Sequence, residues 1–197
     1  MELRITISKG STKMGTIDNI SLDPRMTCRD MPCYEKGCNV CRLMKTRPSM
    51  RVAWMRNTKV QKRDREFYFK TIWAHLQKTS PKMFRWHVGG DIPDQGYLNY
   101  MLFTAHRFPK IQFLAFTKRY DLEFDWVKHD GQLEIVFSAW PGHYVPPRAF
   151  AWGFRFAWLE DDSRRPHEAI MCHGGCENCG MCWNLRKLGK DVYFPKK

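Results

Sequence analysis

Apolar residues recur along this chain in two rhythms. Between residues 49 and 79, Val52, Met55, Phe67, Ile72, Trp73 and Leu76 fall on helical spacing amid Arg and Lys, the pattern of an amphipathic helical stretch. Pro81 closes it, because proline has no N–H with which to continue a helix. A further helix is predicted over 95–107, where Asp94 is placed to cap it and Leu98, Met101, Leu102 and Ala105 share one face. The other rhythm is the short, nearly unbroken apolar run. Phe84-Arg85-Trp86-His87-Val88 halts at Gly89-Gly90-Asp91. Ile111 to Thr117 and Leu133 to Ser138 follow, the latter stopped by Pro141-Gly142, and Phe154 to Leu159 is a fourth. Such runs read as buried strands. The first 25 residues, broken by Gly10-Ser11, Gly15-Thr16 and Asp23-Pro24, read as one or two short strands.

Alternating strands and helices predict an α/β fold with a mainly parallel sheet. With no internal repeat and no long polar linker, the 197 residues read as one domain. Its parts are an N-terminal strand with a first cysteine group (1–45), an α/β core (46–165) and a C-terminal cysteine group (166–197). Ligands of open parallel sheets bind beyond the carboxyl ends of the strands. That rim is where Gly89-Gly90-Asp91, Thr117-Lys118-Arg119 and Ser138-Ala139-Trp140 are expected, together with the first cysteines. A composition of 43% hydrophobic and 27% charged residues excludes a disordered tail or a collagen-like fibre. No apolar run approaches the 18 or so residues of a membrane span, and Met1 to Ile5 lack a secretory apolar region. A reducing cytoplasm is therefore the expected setting.

That setting changes the meaning of the eight cysteines, since structural disulfides rarely persist there. Cys28, Cys33, Cys38 and Cys41 form one group and Cys172, Cys176, Cys179 and Cys182 another, with none in the 130 residues between. Thiolates two to four residues apart converge on one point, which is what a soft metal centre needs. The pairs Cys38/Cys41 and Cys176/Cys179 suit zinc knuckles, with His173 a conceivable replacement ligand. The run Cys176-Cys179-Cys182, with Gly174, Gly175 and Gly180 around it, equally suits an iron–sulfur cube. Spacing alone leaves both metals open.

Charge adds a second clue. The chain carries a formal +13. The window from Arg42 to Lys82 has twelve Lys and Arg against Asp64 and Glu66, and so holds ten of those charges. A helical face of this density, including Lys59, Lys62 and Arg63, suits a phosphate backbone or a nucleotide-bearing substrate. No pattern for sequence-specific reading accompanies it. His87, on an apolar strand, reads as a core histidine; Asp91 reads equally as a helix cap or a ligand-holding acid. Lys118 and Arg119, at a strand end, point to anion or substrate contact. Trp86, Trp140 and Trp183 read as core or site walls.

Several stretches are familiar in combination: the N-terminal cysteines, Arg51-Val52-Ala53-Trp54-Met55-Arg56-Asn57, Phe84 to Asp94, Phe116-Thr117-Lys118, Phe137 to Gly142 and Cys179-Gly180-Met181-Cys182-Trp183. Together they resemble the phage gene product 88 family, which implies the cytoplasm of a bacterial host. The chain is also similar, more weakly, to radical S-adenosylmethionine enzymes. Cys33-x4-Cys38-x2-Cys41 resembles their three-cysteine motif, and Gly89-Gly90-Asp91 resembles the glycine turn that holds the cofactor's amino group. This resemblance implies a partial (β/α) barrel, a full one needing about 200 residues or more. It further implies a [4Fe-4S] cluster on Cys33, Cys38 and Cys41 (or Cys28, Cys33 and Cys38) with S-adenosylmethionine beside it. Gly89, Gly90, Asp91, Lys118 and Ser138 are the cofactor-binding candidates, and the second cysteine group is an auxiliary or structural centre. The functional expectation is an iron–sulfur protein of radical S-adenosylmethionine type acting on an anionic or nucleic-acid-related substrate. The alternatives are a zinc-stabilised, non-catalytic nucleic-acid-binding protein and a fold with a purely structural cube.

Overall fold

The computed structural model of the chain describes residues 3–10, 13–28, 31–35, 38–127 and 131–195. The elements run in the order β1 (Asp18–Ile20), α1 (Pro24–Thr27), α2 (Pro32–Glu35), α3 (Asn39–Thr46), α4 (Pro48–Arg63), α5 (Arg65–Thr79), β2 (Met83–Trp86) and α6 (Gln95–Arg107). They continue with β3 (Gln112–Thr117), β4 (Leu133–Ser138), α7 (Pro147–Ala151), β5 (Arg155–Leu159), β6 (Ile170–Met171), α8 (Cys176–Cys179), α9 (Leu185–Leu188) and β7 (Val192–Phe194). A 3-10 turn at Met181–Trp183 separates α8 from α9.

The expected α/β class holds, and the sheet is wholly parallel. Its seven strands stand in the order β1-β2-β3-β4-β5-β7-β6. It is open: β1 and β6 are its two ends, so where the resemblance implies a partial (β/α) barrel, the chain has a parallel sheet that does not close. Beside β1, Ser8 and Asn19 exchange both backbone hydrogen bonds at 2.8 Å, an antiparallel bridge that occupies this edge. The first 25 residues thus supply one strand and a bridge.

Alternation sorts the side chains between two faces. Ile20, Phe84, Trp86, Phe113, Ala115, Leu133, Ile135, Phe137, Phe156 and Trp158 belong to the larger core, with Tyr68, Phe69, Ile72 and Leu76 of α5 and Leu98, Met101 and Ala105 of α6. Leu114, Val136, Ala157 and Val192 form a second core with Met14, Ile17, Trp183 and Leu185, and Cys172, Cys176 and Cys182 pack against it. Helices cover one face; the C-terminal cysteine segment covers the other.

The helix over 95–107 is found with those bounds, and Asp94 accepts from the Tyr97 N–H at 2.9 Å. The single stretch predicted over 49–79 is divided at Asp64, whose carboxylate accepts from the Phe67 N–H at 2.8 Å and starts α5 afresh. Buried Asn57 ties α4 to the chain before and after β1: it donates to the Thr6 and Ser21 carbonyls at 2.9 and 3.0 Å and accepts from the Thr6 N–H at 2.8 Å. The strand expected over 84–88 ends at Trp86, because His87 adopts φ 52°, in the left-handed region.

Asp64→Ala removes a helix cap and should lower stability by about 1 kcal/mol, whereas Asp64→Asn, which can still accept, should cost only a few tenths. Urea unfolding of the variants checks this, as a shift in midpoint at constant slope.

Candidate functional site

The first cysteine group is assembled where β1 hands over to the helices. Asp23 caps α1 by accepting from the Arg25 N–H at 2.9 Å, and Cys28 ends that short helix. Cys33 lies on α2, Cys38 caps α3, and Cys41 is one turn further on. Arranged this way, the thiols interact. Nearby Cys33 holds the Cys38 sulfur below the ordinary thiol range, against burial. Cys38 and burial push Cys33 up; burial and the Cys38 charge push Cys41 up. Cys28 lies 3.7 Å from the Thr27 hydroxyl, and burial and then the Asp91 charge push its thiol up to about 12. The ammonium of Lys118, just past β3, acts on both Cys28 and Cys33. This group therefore lies at the carboxyl rim of β1 to β3, as strand order predicts.

The Gly-Gly-Asp turn lies beside it, but its polar groups are already engaged. The Val88 and Gly89 N–H groups donate to the Ser21 hydroxyl at 3.1 and 3.3 Å, and the Gly89 carbonyl accepts from the Leu22 N–H at 3.0 Å. A Cβ on Gly89 would stand 2.2 Å from the Trp54 ring, and Gly90 needs its φ of 81° beneath Leu22 and Thr27. Asp91 caps no helix. Its buried carboxylate accepts from the Thr117 hydroxyl at 2.6 Å, the Ile92 N–H at 2.7 Å and the Lys118 N–H at 2.9 Å. Burial raises its pKa, and these donors oppose the rise. Gly89 and Asp91 thus bind β1, β2 and β3 to one another at the rim.

The remaining candidates divide. Lys118 lies half-buried with its ammonium 5.8 Å from the centre of the Trp140 ring. Ser138 is half-buried at the end of β4, and its carbonyl accepts from Tyr120 at 3.0 Å. Arg119 is a strap, donating to the Ile92 and Pro93 carbonyls at 2.6 Å and pairing with Asp121 at 2.7 Å. His87 is the core histidine expected: buried, 3.1 Å from the Tyr97 hydroxyl and kept neutral, because burial and then Arg85 bring its pKa down to about 3. Trp86 and Trp183 are buried core, and Trp140 is half-buried.

The second cysteine group hangs on the other face of the sheet. Cys172 follows β6, Cys176 and Cys179 delimit α8, and Cys182 lies in the 3-10 turn. Left-handed Gly175 and Gly180 bound α8 on either side and curl the chain through the tight bends this requires. The segment is fastened to the loop before β1: the Cys176 N–H donates to the Lys13 carbonyl and the Thr16 N–H to Glu177, both at 2.9 Å. All four cysteines line one pocket of about 270 Å³, with exposed His173 on its wall. The two groups are separate, and all eight cysteines are free thiols.

Among the described residues, no three His, Cys, Asp or Glu side chains are gathered as a ready seat for a single ion. The donor set is nonetheless that of a soft centre, four sulfurs per group with no carboxylate among them. Sulfur donors of this kind are those that soft, thiolate-preferring metals take. Sequence reasoning passed over Arg85, which lies between the two strongly apolar residues Phe84 and Trp86 and whose guanidinium feels the Cys176, Cys182 and Cys172 sulfurs. The available signal was a lone cation in mid-strand of a parallel sheet, where both faces are normally apolar.

A family model described as gene product 88 matches residues 4–145 of the chain. No curated protein and no solved structure matches it.

If the glycine turn is structural, Gly89→Ala should destabilise the metal-free chain by about 1–3 kcal/mol through overpacking against Trp54 and Val40. Denaturant unfolding of apo-protein reads this; an unchanged midpoint would return the turn to a purely ligand-holding role.

Proposed function

This chain belongs to the gene product 88 family, and we propose that it is an iron–sulfur protein with its working cluster at the first cysteine group. The observation that carries this is the gathering of four free thiols, Cys28 at the end of α1, Cys33 on α2, and Cys38 and Cys41 at the start of α3, at the carboxyl rim of a parallel sheet. Four such thiols suit a cube with three fixed ligands and one iron left open or more loosely held. When bound, such a cluster supplies single electrons to a molecule docked at its open iron. The chain's own residues set the surroundings: Thr27 fixes Cys28 and accepts from the Asp91 N–H at 3.1 Å, and Lys118 lends positive charge toward the sulfurs. Asp91 keeps the loop after β2 against β3, so the rim keeps its shape.

The S-adenosylmethionine part of the reading rests on the spacing Cys33-x4-Cys38-x2-Cys41 with the Gly89-Gly90-Asp91 turn beside it; Gly89 and the Asp91 carboxylate are also tied into the fold. An anionic, nucleic-acid-related substrate is favoured by Lys118 and by the basic helices alongside. Arg42, Lys45, Arg47, Arg51, Lys59, Lys62 and Arg63 are all exposed on or between α3 and α4, whereas Arg65 is paired with Asp94 and Lys70 with Glu66. That exposed face also favours the second reading, a non-catalytic nucleic-acid-binding protein with zinc in both groups. No described helix is long and apolar enough to cross a membrane.

Protein isolated without air should be brown and carry iron and acid-labile sulfide. Cys33→Ser, Cys38→Ser and Cys41→Ser should each remove a large part of both, and Cys28→Ser should retain more. Adding S-adenosylmethionine to the reduced sample should alter its electron paramagnetic resonance spectrum if an iron is open. Colourless protein with two zinc ions per chain would overturn the iron reading and leave the second. For the basic face, charge reversal at Lys59, Lys62 and Arg63 should weaken duplex binding. Each phosphate contact removed should reduce the slope of log K against log salt by about 0.9; binding indifferent to both salt and reversal would remove nucleic acid as a partner.

A further inference from the structure

The second cysteine group faces an uncompensated cation. Arg85 is half-buried in the middle of β2, and strand alternation sends its side chain away from the helices, to the face where Cys172, Cys176 and Cys182 pack. Its guanidinium lies 4.9 Å from the centre of the Phe116 ring, and Nη1 donates to the Met14 sulfur at 3.6 Å. Its Nε is shut off from water and has no hydrogen-bond partner. It pairs with no carboxylate among the described residues, and Met14 and Phe116, which it touches, share their core with Cys172, Cys176 and Cys182, whose ionised sulfurs would act on it. A guanidinium partly drawn out of water with no anion beside it is disfavoured, and charges held against a core are normally paired. Neutral thiols give it no counter-charge; metal-bound thiolates do.

All four cysteines lie in the lining of one pocket of about 270 Å³, together with Met181 and Trp183, and the choice of an iron–sulfur centre for them follows the iron–sulfur reading above.

We infer that Cys172, Cys176, Cys179 and Cys182 hold a four-iron cluster whose negative charge is balanced by Arg85, and that Arg85 raises the reduction potential of this second centre. The inference rests on the iron–sulfur reading above. An oxidised cube with four thiolates carries a net charge of −2; one electron from an external reductant such as dithionite takes it to −3, with no bond made or broken. A fixed neighbouring cation favours the more negative state. Arg85 is thus a positioning and tuning residue, since it acts on the cluster without ligating it.

The test is a redox titration of the full chain, followed by electron paramagnetic resonance, in the parent protein, Arg85→Met and Arg85→Lys. Two couples and close to eight irons per chain are expected. Arg85→Met should lower one couple by tenfold or more in its reduction equilibrium, about 59 mV for one electron, and leave the other in place. Arg85→Lys, which keeps the charge, should recover most of that shift. A Cys33→Ser/Cys38→Ser/Cys41→Ser chain should keep about four irons and the Arg85-sensitive couple. If that variant fails to fold, the parent and Arg85 titrations still decide. Iron confined to the first group, zinc in the second, or two couples both indifferent to Arg85→Met would overturn the inference while leaving the first cluster standing. No iron in the parent chain would instead overturn the reading beneath it.

Discussion

A parallel sheet has two faces to keep from water, and the coverage of the second face shapes this molecule. The first face is covered conventionally, by α5 and α6 with Tyr68, Phe69, Leu98 and Met101. The second has no long helix over it among the described residues. Its cover is the stretch from Cys172 to Leu188, in which α8 and α9 are four residues each. Trp183 and Leu185 reach down onto Leu114, Val136 and Ala157, and Trp183 donates to the Phe84 carbonyl at 3.3 Å. Helices this short have almost no stability of their own. The packing of Trp183 and Leu185 and the hydrogen bonds to Lys13 and Thr16 hold the segment on the sheet; a metal on its four cysteines, as proposed, would stiffen it further.

The rim follows a different logic. Gly89 and Asp91 join strands there: Ser21 bonds the turn after β2, and Asp91 gathers Thr117, Lys118 and Ile92. That network gives the first cysteine group a stiff floor, with Thr27 as the connection between Asp91 and Cys28. A rigid scaffold under a short-helix ligand segment is the usual division of labour between positioning and chemistry. The basic α3–α4 surface adjoins this rim through α3 itself, which contributes Cys41 to the cysteine group and Arg42 and Lys45 to the exposed face.

Much of this was legible in the residues. The helix at 95–107, its Asp94 cap and the strands after Ile111 and Leu133 show because apolar periodicity and capping chemistry are local signals. The break at Asp64 was masked by two adjoining helices that carry the same apolar spacing. Ser8 and β6 were hidden because a bridge or a two-residue strand is set by its neighbours and has no pattern of its own. Gly-Gly-Asp drew attention as a ligand turn, yet the same residues serve a tight chain crossing, and only the neighbours Trp54, Val40, Ser21 and Thr117 distinguish the two. Arg85 was on the page as the one charge in an aromatic strand. Its meaning depends on residues nearly ninety positions away, which no local pattern conveys.

The central claim is that each end of the chain grips several irons bridged by sulfide. X-ray absorption at the iron edge of anaerobically isolated protein tests it most directly. The account predicts an all-sulfur first shell together with iron–iron scattering at short range, the mark of a polynuclear cluster. An iron signal without iron–iron scattering, or a sulfur-coordinated zinc edge in place of iron, would contradict it.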